Sequence, residues 1–181
     1  MENICVFCGS ASGASEDYTK MAKSLGKELA DREMGLVYGG ASIGVMGAVA
    51  DGCLDAGGKV FGVIPESIRD LEVGHQNLTQ LEIVDTMHDR KARMYDLSSA
   101  FFALPGGMGT LDELCEIVTW AQLQYHAKPC YVINYNGFFD ALMQHFKHIN
   151  QQGFLSDAHL NLVREFPDYN SALDDFEKSL K

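Results

Sequence analysis

Basic residues are scarce in this chain: 14 Lys+Arg stand against 25 Asp+Glu over 181 residues, a formal net charge of −11. Such an acidic balance leaves no broad electrostatic footprint for DNA, RNA or anionic lipid, so neither nucleic acid nor membrane is an expected partner. No apolar run nears the roughly 18 residues of a membrane span. The opening Met1-Glu2-Asn3-Ile4-Cys5-Val6-Phe7 carries an acid where a secretory leader carries cations. It reads as a strand, and the expected location is cytoplasmic. Proline is limited to 4 residues, all beside expected strands, where they leave helix interiors intact. Cysteine numbers 5, and the lone C-x-x-C, Cys5 and Cys8, has no second pair to complete a zinc site. Three residues apart on a strand, those two thiols face opposite ways, so all five cysteines read as reduced core residues. The histidines contain no H-E-x-x-H, and no metal or cofactor is expected. Among them, His145 and His148 read as part of a polar helix face. Repeats, linkers and low-complexity stretches are missing too.

What the chain does have is a regular alternation of short apolar runs with amphipathic segments. Strands are expected over 4–7, 36–38, 60–64, 81–84, 101–104, 131–134 and 162–166. Ser15 is placed to cap a first helix in which Tyr18, Met21, Ala22, Leu25 and Leu29 recur on one face. Further helices are expected over 45–56 (closed by Gly57-Gly58), 87–98, 110–124, 138–150 and 171–180. Residues 66–80 read as loop with one helical turn. Strands that are apolar throughout, instead of alternating, belong to a parallel sheet covered on both faces. The expectation is one doubly wound, Rossmann-like α/β nucleotide-binding domain spanning 1–181.

In such sheets ligands bind beyond the carboxyl ends of the strands, where strand order reverses. Three strand-to-helix turns are rich in small residues there: Gly9-Ser10-Ala11-Ser12-Gly13, Gly39-Gly40-Ala41-Ser42-Ile43-Gly44 and Pro105-Gly106-Gly107-Met108-Gly109-Thr110. Glycine lets a ligand approach the backbone, and a helix start offers unpaired N–H groups to an anion. Neither the dinucleotide G-x-G-x-x-G nor the triphosphate loop G-x-x-x-x-G-K-[ST] is present, which leaves a mononucleotide or sugar phosphate. Arg90, Lys91 and Arg93 supply a local positive patch. Arg90 falls on an apolar stripe with Met87, Met94 and Leu97, so its guanidinium is desolvated and needs a partner. That partner is either an anionic ligand or a structural carboxylate such as Asp85 or Asp96.

The start of the 110–124 helix is acidic, with Asp112, Glu113 and Glu116 close behind the glycine turn. One reading is a capping box, Thr110 at the N-cap and Glu113 three residues on. The other is chemistry: glycosidic cleavage passes through an oxocarbenium-like state that a fixed carboxylate stabilises. On the helix, Leu111, Leu114, Cys115, Val118 and Ala121 are expected to pack on the sheet. Glu113, Glu116 and Trp120, flanked by Ile117, would face a partner subunit or a pocket wall.

These residues also resemble a known family. Pro105-Gly106-Gly107-Met108-Gly109-Thr110-Leu111-Asp112-Glu113 matches P-G-G-x-G-T-x-x-E, and Arg90-Lys91-Ala92-Arg93-Met94 matches R-K-x-x-M. Both are similar to the Lonely Guy family of cytokinin riboside 5′-monophosphate phosphoribohydrolases, long labelled lysine-decarboxylase-like. Cys8-Gly9-Ser10 and the turn from Tyr38 to Gly47 fit as well, the latter with Ala41 and Val45 in place of commoner residues. The resemblance implies hydrolysis of the N-glycosidic bond of an adenosine 5′-monophosphate, N6-modified or plain, to free base and ribose 5-phosphate. It implies Arg90 and Glu113 as the catalytic pair. Gly9, Ser10, Gly40, Lys91, Gly106, Gly107, Met108, Gly109, Thr110, Glu116 and Thr119 would bind substrate and phosphate, in a homodimer or larger homo-oligomer. A pyridoxal-dependent decarboxylase is not indicated, since only Lys91 and Lys128 lie near the site segments for a Schiff base. The competing reading is a non-catalytic nucleotide carrier or sensor on the same fold, for which Glu113 would have no use.

Overall fold

The computed structural model describes residues 1–69 and 74–181. Seven strands, β1 (Asn3–Phe7), β2 (Gly35–Tyr38), β3 (Val60–Pro65), β4 (Gln80–Val84), β5 (Ala100–Ala103), β6 (Cys130–Ile133) and β7 (Val163–Phe166), form one sheet. Its order is β4-β3-β2-β1-β5-β6-β7, with every neighbouring pair parallel. The order reverses at β1, which pairs with β2 on one side (Ile4↔Leu36) and β5 on the other (Phe7↔Ala103). A crevice therefore opens beyond the carboxyl ends of β1 and β5.

The helices are α1 (Glu16–Asp31), α2 (Gly44–Asp55), the single turn α3 (Glu66–Arg69), α4 (Met87–Asp96), α5 (Met108–Gln122), α6 (Asp140–Gln151), α7 (Asp157–Leu160) and α8 (Tyr169–Ser179). Alternate strand residues serve opposite faces. Ile4, Leu36 and Phe102 pack with Leu25 of α1, Val49 of α2 and Phe176 of α8. Cys5, Val37 and Phe101 pack instead with Met94 of α4 and Ile117 of α5, and Val132 packs with Leu114 and Met143 of α6. Cys5 and Cys8 fall in different clusters, so the C-x-x-C thiols do point to opposite faces, both free. Ser15 caps α1 by accepting from the Asp17 N–H, as its position suggests. The helical turn expected within 66–80 is α3; residues 70–73 of that stretch lie outside the described residues.

Three expectations need correction. First, α5 starts at Met108 with Gly107 as its N-cap, so Thr110 is the third helical residue and the Thr110/Glu113 capping box does not form. Glycine can cap without a side-chain signature, and the Thr110 side chain is turned inward. The box exists on α4, where the Thr86 hydroxyl accepts from Asp89 N–H at 3.1 Å and Asp89 accepts from Thr86 N–H at 3.2 Å. Second, α5 buries Thr110, Leu114, Ile117 and Ala121, whereas Cys115 is exposed. The helix is apolar over much of its girth, and its docking angle between the sheet and α4 selects the Ile117 side. Third, the helix expected from 138 begins at Asp140, after a 3-10 turn, Tyr135–Gly137, in which Asn136 and Gly137 have φ of 53° and 71°. Among the described residues no helix is long and apolar enough to cross a membrane.

Candidate active site

A cavity of about 340 Å³ opens at the reversal of strand order, beneath the turns that follow β1, β2 and β5. It brings together Arg90 from α4 and Glu113 from α5 with Gly9 and Ser10 of the first turn and Gly107, Met108, Gly109 and Thr110 of the third. The N–H groups of Met108, Gly109 and Thr110 occupy the first turn of a 15-residue helix, where no intrahelical acceptor exists. They offer hydrogen-bond donors, backed by the helix dipole, to an anion at the floor of the cavity. Thr110 is only 2% exposed, and its Oγ1 has no hydrogen-bond partner among the described residues. Gly106 sits directly behind it, where a Cβ would run into that hydroxyl and into Gly9 N. Gly107 and Gly109, by contrast, face open space.

Arg90 is 4% exposed and is held by backbone: Nε donates to Val63 O at 3.1 Å and Nη2 to Gly39 O at 2.8 Å. Both acceptors lie at the ends of β3 and β2, so the guanidinium is fixed against the sheet edge while lining the cavity. Gly39 is required for this contact, because a Cβ would collide with Nη2. The opposed charges are felt by the thiol beside them. Burial pushes Cys8 well above its ordinary range, Glu113 pushes it further, and Arg90 pulls back.

The remaining expected residues separate into two groups. Gly106 contacts the turn from the neighbouring slot, whereas Gly40, with φ of 84°, is turned toward Leu81 and Ile64 and is outside the cavity lining. Lys91, Glu116 and Thr119 are not in that lining either. Lys91 Nζ bridges to Glu116 at 3.0 Å and Asp112 at 3.2 Å, joining α4 to α5. Burial disfavours its charge, but the hydrogen bonds to Glu116 and Asp112 outweigh this and hold the ammonium above its ordinary range. Thr119 is exposed and donates to Cys115 O at 2.7 Å. Arg93 pairs with Glu82 of β4 at 2.8 Å, so the three-cation patch is dispersed and Arg90 is its member in the cavity. The face carrying Glu113, Glu116 and Trp120 meets Lys91 and Tyr95 of α4 across a narrow crevice, of which it forms one wall. Lys128 donates to Tyr95 O at 2.8 Å and lies over that ring, distant from any Schiff-base role in the cavity.

Sequence reasoning missed several lining residues: Gly39, Met46, Ile68 and Asp112. Gly39 stood in a turn already singled out, but the partner Arg90 needs, expected to be a ligand or a carboxylate such as Asp85 or Asp96, is instead the Gly39 carbonyl together with that of Val63. Among the described residues no cluster of three or more His, Cys, Asp or Glu could hold a metal ion.

Fold and cavity define a doubly wound α/β protein whose switch point sets a helix N-terminus, a buried guanidinium and a carboxylate around one small-molecule site. The family model described as possible lysine decarboxylase matches residues 46–176. The cytokinin riboside 5′-monophosphate phosphoribohydrolase of Rhodococcoides fascians is 41% identical, over 95% of this chain and 87% of that protein. Its counterpart in Oryza sativa subsp. japonica is 44% identical, over 91% of this chain and 68% of that protein. The chain belongs to this family, the Lonely Guy phosphoribohydrolases. Among solved structures, the Moco carrier protein of Chlamydomonas reinhardtii superposes with a TM-score of 0.74 at 22% identity, over 99% of this chain and 97% of that one, a likeness of fold.

Proposed function

We propose that the protein hydrolyses the N-glycosidic bond of adenosine 5′-monophosphates, N6-modified ones included, to release the base and ribose 5-phosphate. The observation that carries this reading is the Thr110 hydroxyl at the start of α5, buried and without a hydrogen-bond partner among the described residues, in the same cavity as Glu113 and Arg90. A buried hydroxyl without a partner costs about 1–3 kcal/mol, and an anion seated on the first-turn amides would satisfy it. In this reading Gly9, Ser10 and the residues from Gly107 to Thr110 hold the 5′-phosphate. Glu113, one helical turn on, faces the anomeric carbon and stabilises its developing positive charge or orients the attacking water. Arg90, anchored by two carbonyls, fixes positive charge in the cavity and orders substrate and carboxylate. Lys91 and Glu116 act on substrate through the helix geometry they set.

We extend the proposal to a cytoplasmic homo-oligomer, supported by Met108, Leu123 and Tyr125, exposed at 80%, 55% and 70% on and just beyond α5; sedimentation velocity tests the oligomer. For the activity, the protein is incubated with AMP, N6-isopentenyl-AMP and adenosine, and free base and ribose 5-phosphate are assayed. Turnover of the monophosphates, little of adenosine, and none by Glu113→Gln with binding retained is the expected pattern. Binding of every nucleotide without release of base would instead establish the carrier.

A further inference from the structure

On the far side of the shared turns lies a second, apolar slot of about 190 Å³, walled by Tyr18 of α1, Val45 of α2, Pro105 and Phe138. It has Gly9, Ser10 and Gly107 in common with the cavity that holds Glu113 and Arg90. Those three are among the six phosphate-holding residues of the proposed reading, on which this inference rests. The phosphate position therefore has an opening on each side: one toward the carboxylate, one toward the aromatic slot. Sheets that bind dinucleotides distribute a ligand in this way across the reversal of strand order, with the linking phosphates on a helix N-terminus.

The slot is a constructed feature. Phe138 follows the turn with two left-handed residues in succession, Asn136 and Gly137. Asn134 pins that turn, its Oδ1 accepting from Phe139 N–H and its Nδ2 donating to Asp140. The Phe138 ring stands edge-on to Tyr18, centroids 5.8 Å apart at 76°, yet remains 42% exposed. An edge-to-face pair with one ring left open favours a further planar group.

We infer that the slot receives a planar aromatic group joined through the substrate's 5′-phosphate, so that nucleoside 5′-phosphodiesters with an aromatic second arm are bound and cleaved at their glycosidic bond. In the reaction water adds at C1′, the N9–C1′ bond breaks, adenine leaves with a proton, and the phosphodiester stays whole. The 4-nitrophenyl ester of AMP thus yields adenine and the 4-nitrophenyl ester of ribose 5-phosphate, without 4-nitrophenol.

The test compares AMP, its methyl ester and its 4-nitrophenyl ester, by base release with the wild-type protein and by equilibrium binding with Glu113→Gln. The ring is expected to lower KM and Kd by about 3- to 10-fold against the methyl ester. Phe138→Ala is expected to erase that advantage while AMP and methyl ester kinetics hold; Phe138→Leu, which keeps apolar bulk, restores only part of it. No advantage of the ring, or equal damage by Phe138→Ala to all three compounds, would overturn the inference. Failure of the wild-type protein to release base from AMP strikes the proposed activity instead, and binding of the aryl ester still decides the slot.

Discussion

Thr110→Val should make the protein more stable and less able to hold its substrate, two effects of opposite sign from one atom. The wild-type hydroxyl is buried without a hydrogen-bond partner among the described residues, a deficit of about 1–3 kcal/mol. Valine keeps the β-branched shape and removes the polar atom, so most of that deficit is recovered. At the lower bound of about 1 kcal/mol, Tm rises by roughly 2–4 °C for a chain of this size. Binding moves the other way. A hydrogen bond to a charged group contributes about 1.5–3 kcal/mol, so loss of the hydroxyl weakens binding of AMP or ribose 5-phosphate by about 10- to 150-fold. Thr110→Ser, which retains the hydroxyl and loses a methyl, should bind normally and melt lower. Differential scanning calorimetry and isothermal titration on the three proteins measure both quantities. A valine variant that melts below wild type and binds AMP unchanged would refute the reasoning, since the hydroxyl would then serve packing and not an anion.

Glu113→Gln preserves shape and removes charge, and should lower kcat by at least about 10²–10³-fold with Kd little changed, as single-turnover and binding measurements can separate. Arg90→Ala strips the guanidinium from the Val63 and Gly39 carbonyls and is expected to cost on the order of 2–4 kcal/mol in urea melts as well as activity. Gly106→Ala drives a methyl into Thr110 and Gly9 and should abolish AMP binding, whereas Gly109→Ala, which meets open space within a helix, should raise stability by about 0.5–1 kcal/mol. Alkaline pH should weaken the fold through its buried thiols. Burial pushes Cys130 up to about 12 against roughly 8.5 in the unfolded chain. Its contribution is thus complete below pH ~8.5 and is lost as pH rises toward the folded value, at up to about 1.4 kcal/mol per unit. Melts of Cys130→Ala between pH 8 and 11 should show a correspondingly shallower decline.

The inner strands were legible because they are apolar almost throughout, a pattern with few other uses in a chain this polar between them, whereas the edge strands β4 and β7 carry Glu82, Arg164 and Glu165 and show it less clearly. The ends of helices were less so. Nothing in the side chains of Pro105-Gly106-Gly107 marks Gly107 as an N-cap, while Thr110 carries a false capping signature; only the packing of its hydroxyl behind Gly106 decides between them. Which stripe of α5 is buried was equally hidden, since apolar residues at 111, 114, 115, 117 and 118 permit more than one rotation and the choice belongs to α4. Arg90 was readable as a desolvated cation, but its acceptors are carbonyls 27 and 51 positions away in sequence. Such partners carry no side-chain identity for a sequence to show, so the carboxylates Asp85 and Asp96 drew notice first.

The same contacts bear on how the proposed anion site can lie at the start of an acidic helix. Asp112, Glu113 and Glu116 together would repel a phosphate far more than the helix dipole, at about 0.3–1 kcal/mol, could offset. Lys91 engages two of them, Asp112 and Glu116, one residue before and three after Glu113. Being the neighbour of Arg90 on α4, it fixes the two helices at the level where the guanidinium and Glu113 enter the cavity together. Lys91→Met should then raise KM through released repulsion and lower kcat through lost alignment, while Lys91→Arg rescues KM by restoring charge and recovers kcat only as far as the longer fork can reproduce the spacing of α4 and α5. Steady-state kinetics on both variants measure the split. If Lys91→Met altered KM alone, neutralisation would suffice and the clamp between the helices would have no part in catalysis.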